Sequence, residues 1–456
     1  EFVGYERDEA EATVAEWIEN GAGCFAIVDR SPFYIEKGGQ LGDTGTLVAE
    51  GESIPVLAAL GVGEATVLQL AKLPDKATTT VTLKVGTPRR RGIEAHHTAT
   101  HLFHWALHEV VSPDATQQGS LVAPDRLRFD FNSTAVPSGQ LAKIESEVNE
   151  RIRANDTVTV SEVPHAEVKG NPKVMQFFGD KYGEKVRVVQ IGGTGGAFDG
   201  YSMELCGGTH AGSTGAIGYF KIKSEGAVAA GIRRVEAVCG DAAKTFLAEE
   251  AKRLATEFAE AAHKLTAANE KLKALGQSHV ETDDSDTLSA LIDQALVTGD
   301  LAGADAHLRA FEAHRDTVRA AALQAEKAVK KASAGAAAGL ASQWFEETLA
   351  PHAGDSWIGL LPGDSPELLQ EALNTVKARQ WRGIAVLALI DEGTVHLGTV
   401  VHPDFAAKAK AGDLVRESLA VAGGKGGGRP EMARGAAPGG ETEAEAILSK
   451  ARELLG

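Results

Sequence analysis

Short apolar runs that alternate with polar positions, each closed by a glycine-containing turn, fill the first part of the chain. Cys24-Phe25-Ala26-Ile27-Val28 and Thr79-Thr80-Val81-Thr82-Leu83 carry the pattern of strands. Gly38-Gly39, Gly42-Asp43 and Gly45 mark turns. Residues 1–90 are therefore predicted to form a small β-barrel, with residues 8–19 readable as helix or strand by pattern alone. The period then lengthens, and residues 94–111 predict a helix. Residues 120–240 mix both periods: 143–153 predict a helix, 187–191 and 217–221 predict strands, and Gly192-Gly193-Thr194-Gly195-Gly196 predicts a flexible loop. Region 91–240 reads as an α+β domain.

A different pattern begins near residue 241. Leu247, Ala251, Leu254, Phe258, Ala261, Leu265, Ala268, Leu272 and Leu275 are spaced alternately four and three apart, an unbroken heptad seam. Gly276 and Asp283-Asp284-Ser285-Asp286 interrupt it. A second, alanine-rich helix is predicted over 305–341, where Leu308, Phe311, Val318, Ala322, Ala325 and Val329 continue the spacing and Arg315 breaks it. Residues 241–349 are expected to form a long antiparallel helical arm, burying its seam within the pair or against another subunit. A homodimer through this arm or the last domain is the corresponding expectation. After Pro351, strands over 357–361, 383–390 and 395–400 and a helix over 367–379 predict a compact C-terminal α/β domain, 350–456. It ends in Gly423-Gly424-Lys425-Gly426-Gly427-Gly428-Arg429-Pro430 and a helix from about Glu441. The expected fold class is multidomain α+β.

Hydrophobic residues make up 43% and charged residues 24% of the 456, as in a soluble globular protein. No apolar run is long enough to cross a bilayer, and the chain opens without a signal-peptide pattern. Three widely spaced cysteines argue against a disulfide framework and for a reducing cytoplasm. The net charge of -17 opposes whole-surface attraction to nucleic acid, so a polyanionic partner must be met by local clusters. The candidates are Arg89-Arg90-Arg91; Lys221, Lys223, Arg233 and Arg234; Lys327, Lys330 and Lys331; and Lys425, Arg429 and Arg434. The glycine-rich run resembles a phosphate-cradling loop but lacks the order of a nucleotide-binding P-loop.

The chemistry is concentrated in two four-residue brackets. His97-Thr98-Ala99-Thr100-His101 places two imidazoles on one helical face, one turn apart. Cys206-Gly207-Gly208-Thr209-His210 offers a thiolate and a third imidazole from a tight loop. Together they supply a tetrahedral donor set suited to Zn2+. His96, His104 and His108 crowd the same helix, so spacing alone does not sort ligands from bystanders. A metallopeptidase is disfavoured, because Thr98 stands where that mechanism needs a glutamate.

His97-Thr98-Ala99-Thr100-His101-Leu102 resembles the editing-domain helix of alanyl-tRNA synthetases and freestanding alanyl-tRNA editing proteins. Further segments resemble that family in the same order: Ser31-Pro32-Phe33-Tyr34, Gly38-Gly39-Gln40, Gln118-Gly119-Ser120-Leu121-Val122, Leu127-Arg128-Phe129-Asp130-Phe131 and Phe178-Gly179-Asp180-Lys181-Tyr182-Gly183. The most specific are Glu204-Leu205-Cys206-Gly207-Gly208-Thr209-His210 and the stretch from Glu225 through Gly231-Ile232-Arg233-Arg234-Val235-Glu236. Gly423 to Pro430 resembles the family's C-terminal domain. The resemblance implies a zinc ion on His97, His101, Cys206 and His210. Thr100 would help tell serine from alanine, and Gln118 would place substrate or water. It implies hydrolysis of tRNA(Ala) mischarged with serine or glycine, with the tRNA backbone met by basic residues such as Arg89, Arg90, Arg91, Arg233, Arg234, Lys425 and Arg429. Neither DNA nor membrane is expected as a partner. Nothing in the chain resembles an amino-acid-activating domain. The loop at residues 192–200 is longer than the family pattern, which suits a cover over the pocket. The competing expectation is a non-catalytic tRNA-binding and dimerisation module with a structural zinc; an open cleft holding Thr100 and Gln118 beside the metal discriminates against it.

Overall fold

A computed structural model describes residues 1–63, 65–176, 182–196, 198–282 and 287–456. Most of the Phe178-to-Gly183 motif and the acidic Asp283-to-Asp286 stretch lie outside them. The chain forms two compact units, Glu1–Arg253 with Asp286–Ala310, and Leu254–Ser285 with Phe311–Gly456. No helix among the described residues is long and apolar enough to cross a membrane.

In the first unit, six strands close a barrel: β1 (Glu9–Asn20), β2 (Gly23–Val28), β3 (Gly45–Ala49), β4 (Glu52–Val62), β5 (Ala65–Leu70) and β6 (Thr80–Val85), in the order β1-β2-β5-β4-β3-β6. The segment left open between helix and strand is β1. Ala10, Ala12 and Val14 point inward there, and β1 pairs with β6 and then β2. Gly45, expected in a turn, instead opens β3. Leu47, Ile54, Leu68 and Leu83, all fully buried, fill the barrel.

Helix α1 (Thr87–Val110) opens ahead of the expected residue 94, with Pro88 in its first turn. The apolar period becomes helical only from 94, and Arg89-Arg90-Arg91 precedes it as the first turn of the helix. Arg90 is 0% exposed: its guanidinium grips Asp43 (2.5 Å) and donates to the carbonyls of Gly4 and Pro32, each at 2.8 Å. Next come β7 (Gln117–Val122), β8 (Leu127–Asn132), α2 (Ser138–Ala154), β9 (Val158–Pro164), α3 (His165–Val168), β10 (Lys185–Ile191), β11 (Ser202–Leu205), β12 (Phe220–Ala229) and β13 (Ile232–Cys239). They form two antiparallel sheets, β12-β13-β8-β7 and β11-β10-β9. Leu102 and Phe103 of α1 are buried in one core with Phe129, Phe131 and Phe220, which secures the histidine helix to the first sheet. The strand expected from Ile217 begins at Phe220, because Thr214–Ile217 makes a single helical turn. The glycine loop after β10 is folded on itself: the Asp199 carboxylate accepts from the Thr194 amide and hydroxyl and from the Gly196 amide.

Three helices follow: α4 (Gly240–Ala274), an unexpected α5 (Thr287–Thr298) and α6 (Leu301–Trp344). Asp305 of α6 belongs to the first unit. It is 1% exposed and takes hydrogen bonds or ion pairs from Tyr219, Lys221 and Arg309 at 2.7–2.8 Å, so Lys221 is no open cation. In the second unit Ala261, Leu265, Ala268 and Leu272 of α4 pack with Val318, Ala321, Ala322 and Ala325 of α6. Just before them Phe258 meets Phe311 (5.4 Å between centroids), and Glu257 pairs with Arg315. Residue numbers rise together along both helices, so these segments run parallel, and the expected antiparallel arm is corrected. The seam is covered within the chain, and here it supplies no reason for a homodimer. Arg315, which breaks the seam, is 8% exposed and is matched by Glu257, Glu312 and Asp316.

The unit ends in β14 (Ser356–Leu360), α7 (Pro366–Ala378), β15 (Ile384–Asp391), β16 (Thr394–Val401), α8 (Ala411–Ala420), β17 (Lys425–Arg429), β18 (Met432–Pro438) and α9 (Glu441–Leu455), with sheet order β14-β15-β16-β18-β17. Interior strand β15 is apolar on both faces, as a strand covered by helices on each side must be. The glycine-rich run is edge strand β17, not a cradling loop. A Cβ at Gly426 would lie 2.5 Å from Val415, and one at Gly435 2.4 Å from Leu419, so glycine lets α8 sit against the sheet. On the opposite face the ladder aligns Lys425, Gly427 and Arg429 with Ala436, Arg434 and Met432, grouping three exposed cations. Gly435→Val should therefore cost about 1–3 kcal/mol in urea unfolding, as overpacking does. Gly427→Val, on the open face, should cost less than about 0.5 kcal/mol. Equal costs would disprove this assignment of faces.

Candidate metal centre

Helix α1 sets the site. His97 and His101 stand one turn apart with rings nearly parallel (11°) and centroids 5.3 Å apart. Strand β11 ends at Leu205 and delivers Cys206, from which the chain turns tightly to His210. The Ala211 amide donates to Thr98 Oγ1 at 3.0 Å and pins this turn to α1. Gly208 is required there, since a Cβ would lie 2.1 Å from the His97 ring. The His210 ring is 4.3 Å from that of His97 and 4.9 Å from that of His101, centroid to centroid. Donor atoms of His97, His101, Cys206 and His210 all lie within 4.8 Å of one another.

The supporting contacts orient these donors. His97 Nδ1 bonds Gln40 Oε1 at 2.8 Å, and His101 Nδ1 bonds Glu204 at 2.7 Å, so both rings turn Nε2 toward the cluster. Buried Gln40 is fixed in turn by the Thr209 amide and hydroxyl, each at 3.0 Å. Glu204 also holds His104 Nδ1 at 2.8 Å. Gln40 and Glu204 were not singled out as functional by the sequence. Gln40 is far from His97 along the chain, and Glu204 was visible as the acid opening the Cys206 motif. The remaining histidines have other tasks. His96 accepts from the Cys239 amide at 3.0 Å, and burial lowers its pKa; His108 bonds the Ala115 carbonyl at 2.6 Å.

These residues fit a zinc ion. His101 Nε2 and both His210 nitrogens are buried without a hydrogen-bond partner, a costly state that a metal would relieve at His101 Nε2 and at one of the His210 nitrogens. A tetrahedral shell places donors about 3.4–3.8 Å apart, a small contraction of the observed cluster. Burial opposes ionisation of Cys206, but the imidazoles around it, His97 foremost, outweigh it and bring the thiol well below its ordinary pKa. Burial, aided by His97, lowers His210 to about 3 and keeps it neutral. Burial also works against a proton on His101, yet the Glu204 carboxylate outweighs it and raises its pKa to about 10. The Nε2 proton so held is the one a metal displaces.

The cluster opens into a cleft of about 810 Å3 lined also by Thr100 and Gln118. Thr100 Oγ1 donates to the His96 carbonyl at 2.8 Å, leaving its oxygen as an acceptor. Exposed Gln118 donates to Thr116 Oγ1 at 3.1 Å. Among the described residues, the loop at 192–200 contributes none to the lining of this cleft.

Of the cations expected to meet RNA, Arg90 is buried and cannot. Arg89 donates to the Gly42 carbonyl at 3.1 Å, and Arg91 pairs with Asp8 and Glu94. Arg233 and Arg234 bind Glu225 and Asp130 in two-pronged pairs, with their closest contacts at 2.5 and 2.7 Å. Lys425, Arg429 and Arg434 form no ion pair among the described residues.

Residues 186–236 match the second additional domain of threonyl and alanyl tRNA synthetases, and residues 358–456 match the DHHA1 domain. The synthetase-type second additional domain supplies Cys206 and His210, helix α1 ahead of it supplies His97 and His101, and a DHHA1 domain follows, a combination that places the chain among synthetase-related proteins. The whole chain aligns with alanine–tRNA ligases: 45% identity over 459 residues with that of Akkermansia muciniphila, and 39% over 469 with that of Methylacidiphilum infernorum. It covers 48% and 46% of those proteins, about half their length. Over the region it spans, the chain is homologous to alanine–tRNA ligases. The crystal structure of the C-Ala domain from Aquifex aeolicus alanyl-tRNA synthetase is 23% identical, covering 22% of this chain and 91% of its own at a TM-score of 0.20, too slight a likeness to bear on the fold.

Proposed function

We propose that the chain hydrolyses the aminoacyl ester of tRNA(Ala) misloaded with serine or glycine. The observation that carries this reading is the opening of the His97–His101–Cys206–His210 cluster into a cleft that also holds Thr100 and Gln118. A pocket sized for alanine rejects glycine and serine poorly, so a second, hydrolytic site adds discrimination. His97, His101, Cys206 and His210 would hold zinc, which when bound supplies Lewis-acid polarisation and orientation. The Thr100 oxygen accepts a hydrogen bond from a serine hydroxyl, a group alanine lacks. The Gln118 amide steadies the ester or the attacking water at the cleft mouth. Lys425, Arg429 and Arg434 meet the tRNA backbone electrostatically. The second reading, a tRNA-binding module with a structural zinc, draws on the four protein donors, which can close a tetrahedral shell.

The deciding experiment is deacylation of Ser-, Gly- and Ala-tRNA(Ala) with and without chelator. Hydrolysis of the first two, lost on chelation, is expected. Gln118→Ala should retain one zinc per chain yet slow Ser-tRNA(Ala) hydrolysis about tenfold, the weight of one hydrogen bond to a reacting group. No hydrolysis of any substrate by zinc-loaded protein would establish the binding module instead.

A further inference from the structure

The cleft extends past the metal-binding side chains to aromatic and cationic residues that ester hydrolysis does not use. Phe2 and Tyr5 meet edge to face, with centroids 4.7 Å apart and planes at 88°, and Tyr34 lies 5.9 Å from Phe2. Tyr5 is 46% exposed, although its hydroxyl donates to the Gly207 carbonyl at 2.6 Å. The Arg187 guanidinium carbon lies 3.5 Å from the Tyr5 ring centroid, and Arg187 is anchored by the Gly208 carbonyl at 2.9 Å. Exposed Lys37 and Lys185 line the same cleft, Lys185 with Glu162 at 3.8 Å.

The segment carrying these rings is held in place. Buried Arg90 donates to the Gly4 carbonyl at 2.8 Å, and the Val3 amide donates to Ser31 at 3.0 Å. No side chain fits at Gly4, where a Cβ would lie 2.2 Å from the Pro32 carbonyl oxygen. Pre-positioned aromatic rings beside a guanidinium and two lysines are the chemistry that receives a nucleobase and its phosphate.

We propose that Phe2, Tyr5 and Arg187 form a stacking platform for the terminal adenine of the tRNA acceptor strand, with the adjoining phosphate met by Lys37 and Lys185. The identity of this occupant rests on the deacylase reading. Tyr5 is bonded to the residue after Cys206, so a base on this platform sets its ribose, and the ester on it, beside the metal-binding side chains. Arg90 is then no RNA contact but a positioning residue for the platform.

The test is calorimetric titration of the full chain with the trinucleotide CCA and with the same oligonucleotide ending in an abasic residue, alongside zinc analysis. Stacking by one base predicts roughly a five- to hundredfold loss of affinity for the abasic end, and the same loss for CCA on Tyr5→Ala. Tyr5→Phe, which keeps the ring, should bind nearly as the wild type does. Phe2→Ala leaves the Tyr5–Gly207 bond intact and should also weaken CCA; it decides the matter should Tyr5→Ala misfold or lose zinc. Equal affinity for CCA and the abasic oligonucleotide, or no binding of either, overturns the platform. Intact base-dependent binding without Ser-tRNA(Ala) hydrolysis overturns the proposed function and leaves the platform standing.

Discussion

Cys206→Ala should lose zinc and deacylation together. The imidazoles around the sulfur, His97 foremost, favour the thiolate against the cost of burial, the state a metal ligand needs. A covalent role would instead require one histidine near the sulfur to act as a general base. His97 Nε2, 3.3 Å from the Cys206 sulfur, has the reach for that. The rest of the donor set separates the two roles: His97, His101, His210 and Cys206 all bring ligand atoms within 4.8 Å of one another, as the ligands of a common ion do and as a lone nucleophile–base pair does not. Metal content should therefore fall from one zinc per chain toward none, and the single-turnover rate should fall to that of the spontaneous ester. Metal analysis, rapid-quench kinetics and mass spectrometry of quenched wild-type protein check this. A variant that keeps zinc and full activity contradicts it, and so does an aminoacyl thioester trapped on Cys206.

The parts legible in the sequence are those set by local period. The barrel strands, the histidine helix and the heptad seam all follow from the spacing of apolar positions. The direction of the arm does not. Heptad spacing fits either orientation, and α5, hidden behind the acidic break, belongs to the first unit, so that α6 sets out again alongside α4. In the glycine-rich run composition points to a loop, while the alternation points to a strand. Gly426 and Gly428 on one face, with Lys425 and Arg429 on the other, is a strand pattern with glycine in place of the usual apolar residue. At Arg90 charge suggests solvent, whereas Asp43, distant along the chain, makes burial possible.

The metal site shows the same division. The two brackets located it, but His96, His97, His101, His104 and His108 were indistinguishable by spacing. What separates them is tertiary: the Cys239 amide takes His96, Ala115 takes His108, and Glu204 takes His104. A fold that assigns each bystander a partner leaves His97 and His101 as the pair able to turn a nitrogen toward Cys206.

Replacing Glu204 should reveal how much of the metal affinity depends on that assignment. Glu204 is 4% exposed, and its two oxygens hold His101 and His104. Burial disfavours its charge, but both imidazoles overcome this and hold its pKa far below the usual carboxylate value. The carboxylate keeps the His101 proton on Nδ1 and so leaves Nε2 for the metal. Glu204→Leu removes both acceptors, and zinc affinity should drop about 10- to 100-fold, as when other metal-bound histidines lose their carboxylate. Stability should fall by about 3–5 kcal/mol in the metal-free protein, the cost of breaking a buried ion pair from one side. Glu204→Gln should fall between Leu and wild type, because an amide offers one acceptor where the carboxylate offers two. Its NH2 faces an imidazole N–H unless one histidine changes tautomer. Gln40→Ala should weaken zinc less than Glu204→Leu, since His97 then loses a neutral partner and not a charged one. Competition against a chromophoric chelator measures all three. If Glu204→Leu binds zinc as the wild type does, His101 is held in place by its packing, and the carboxylate serves the fold alone.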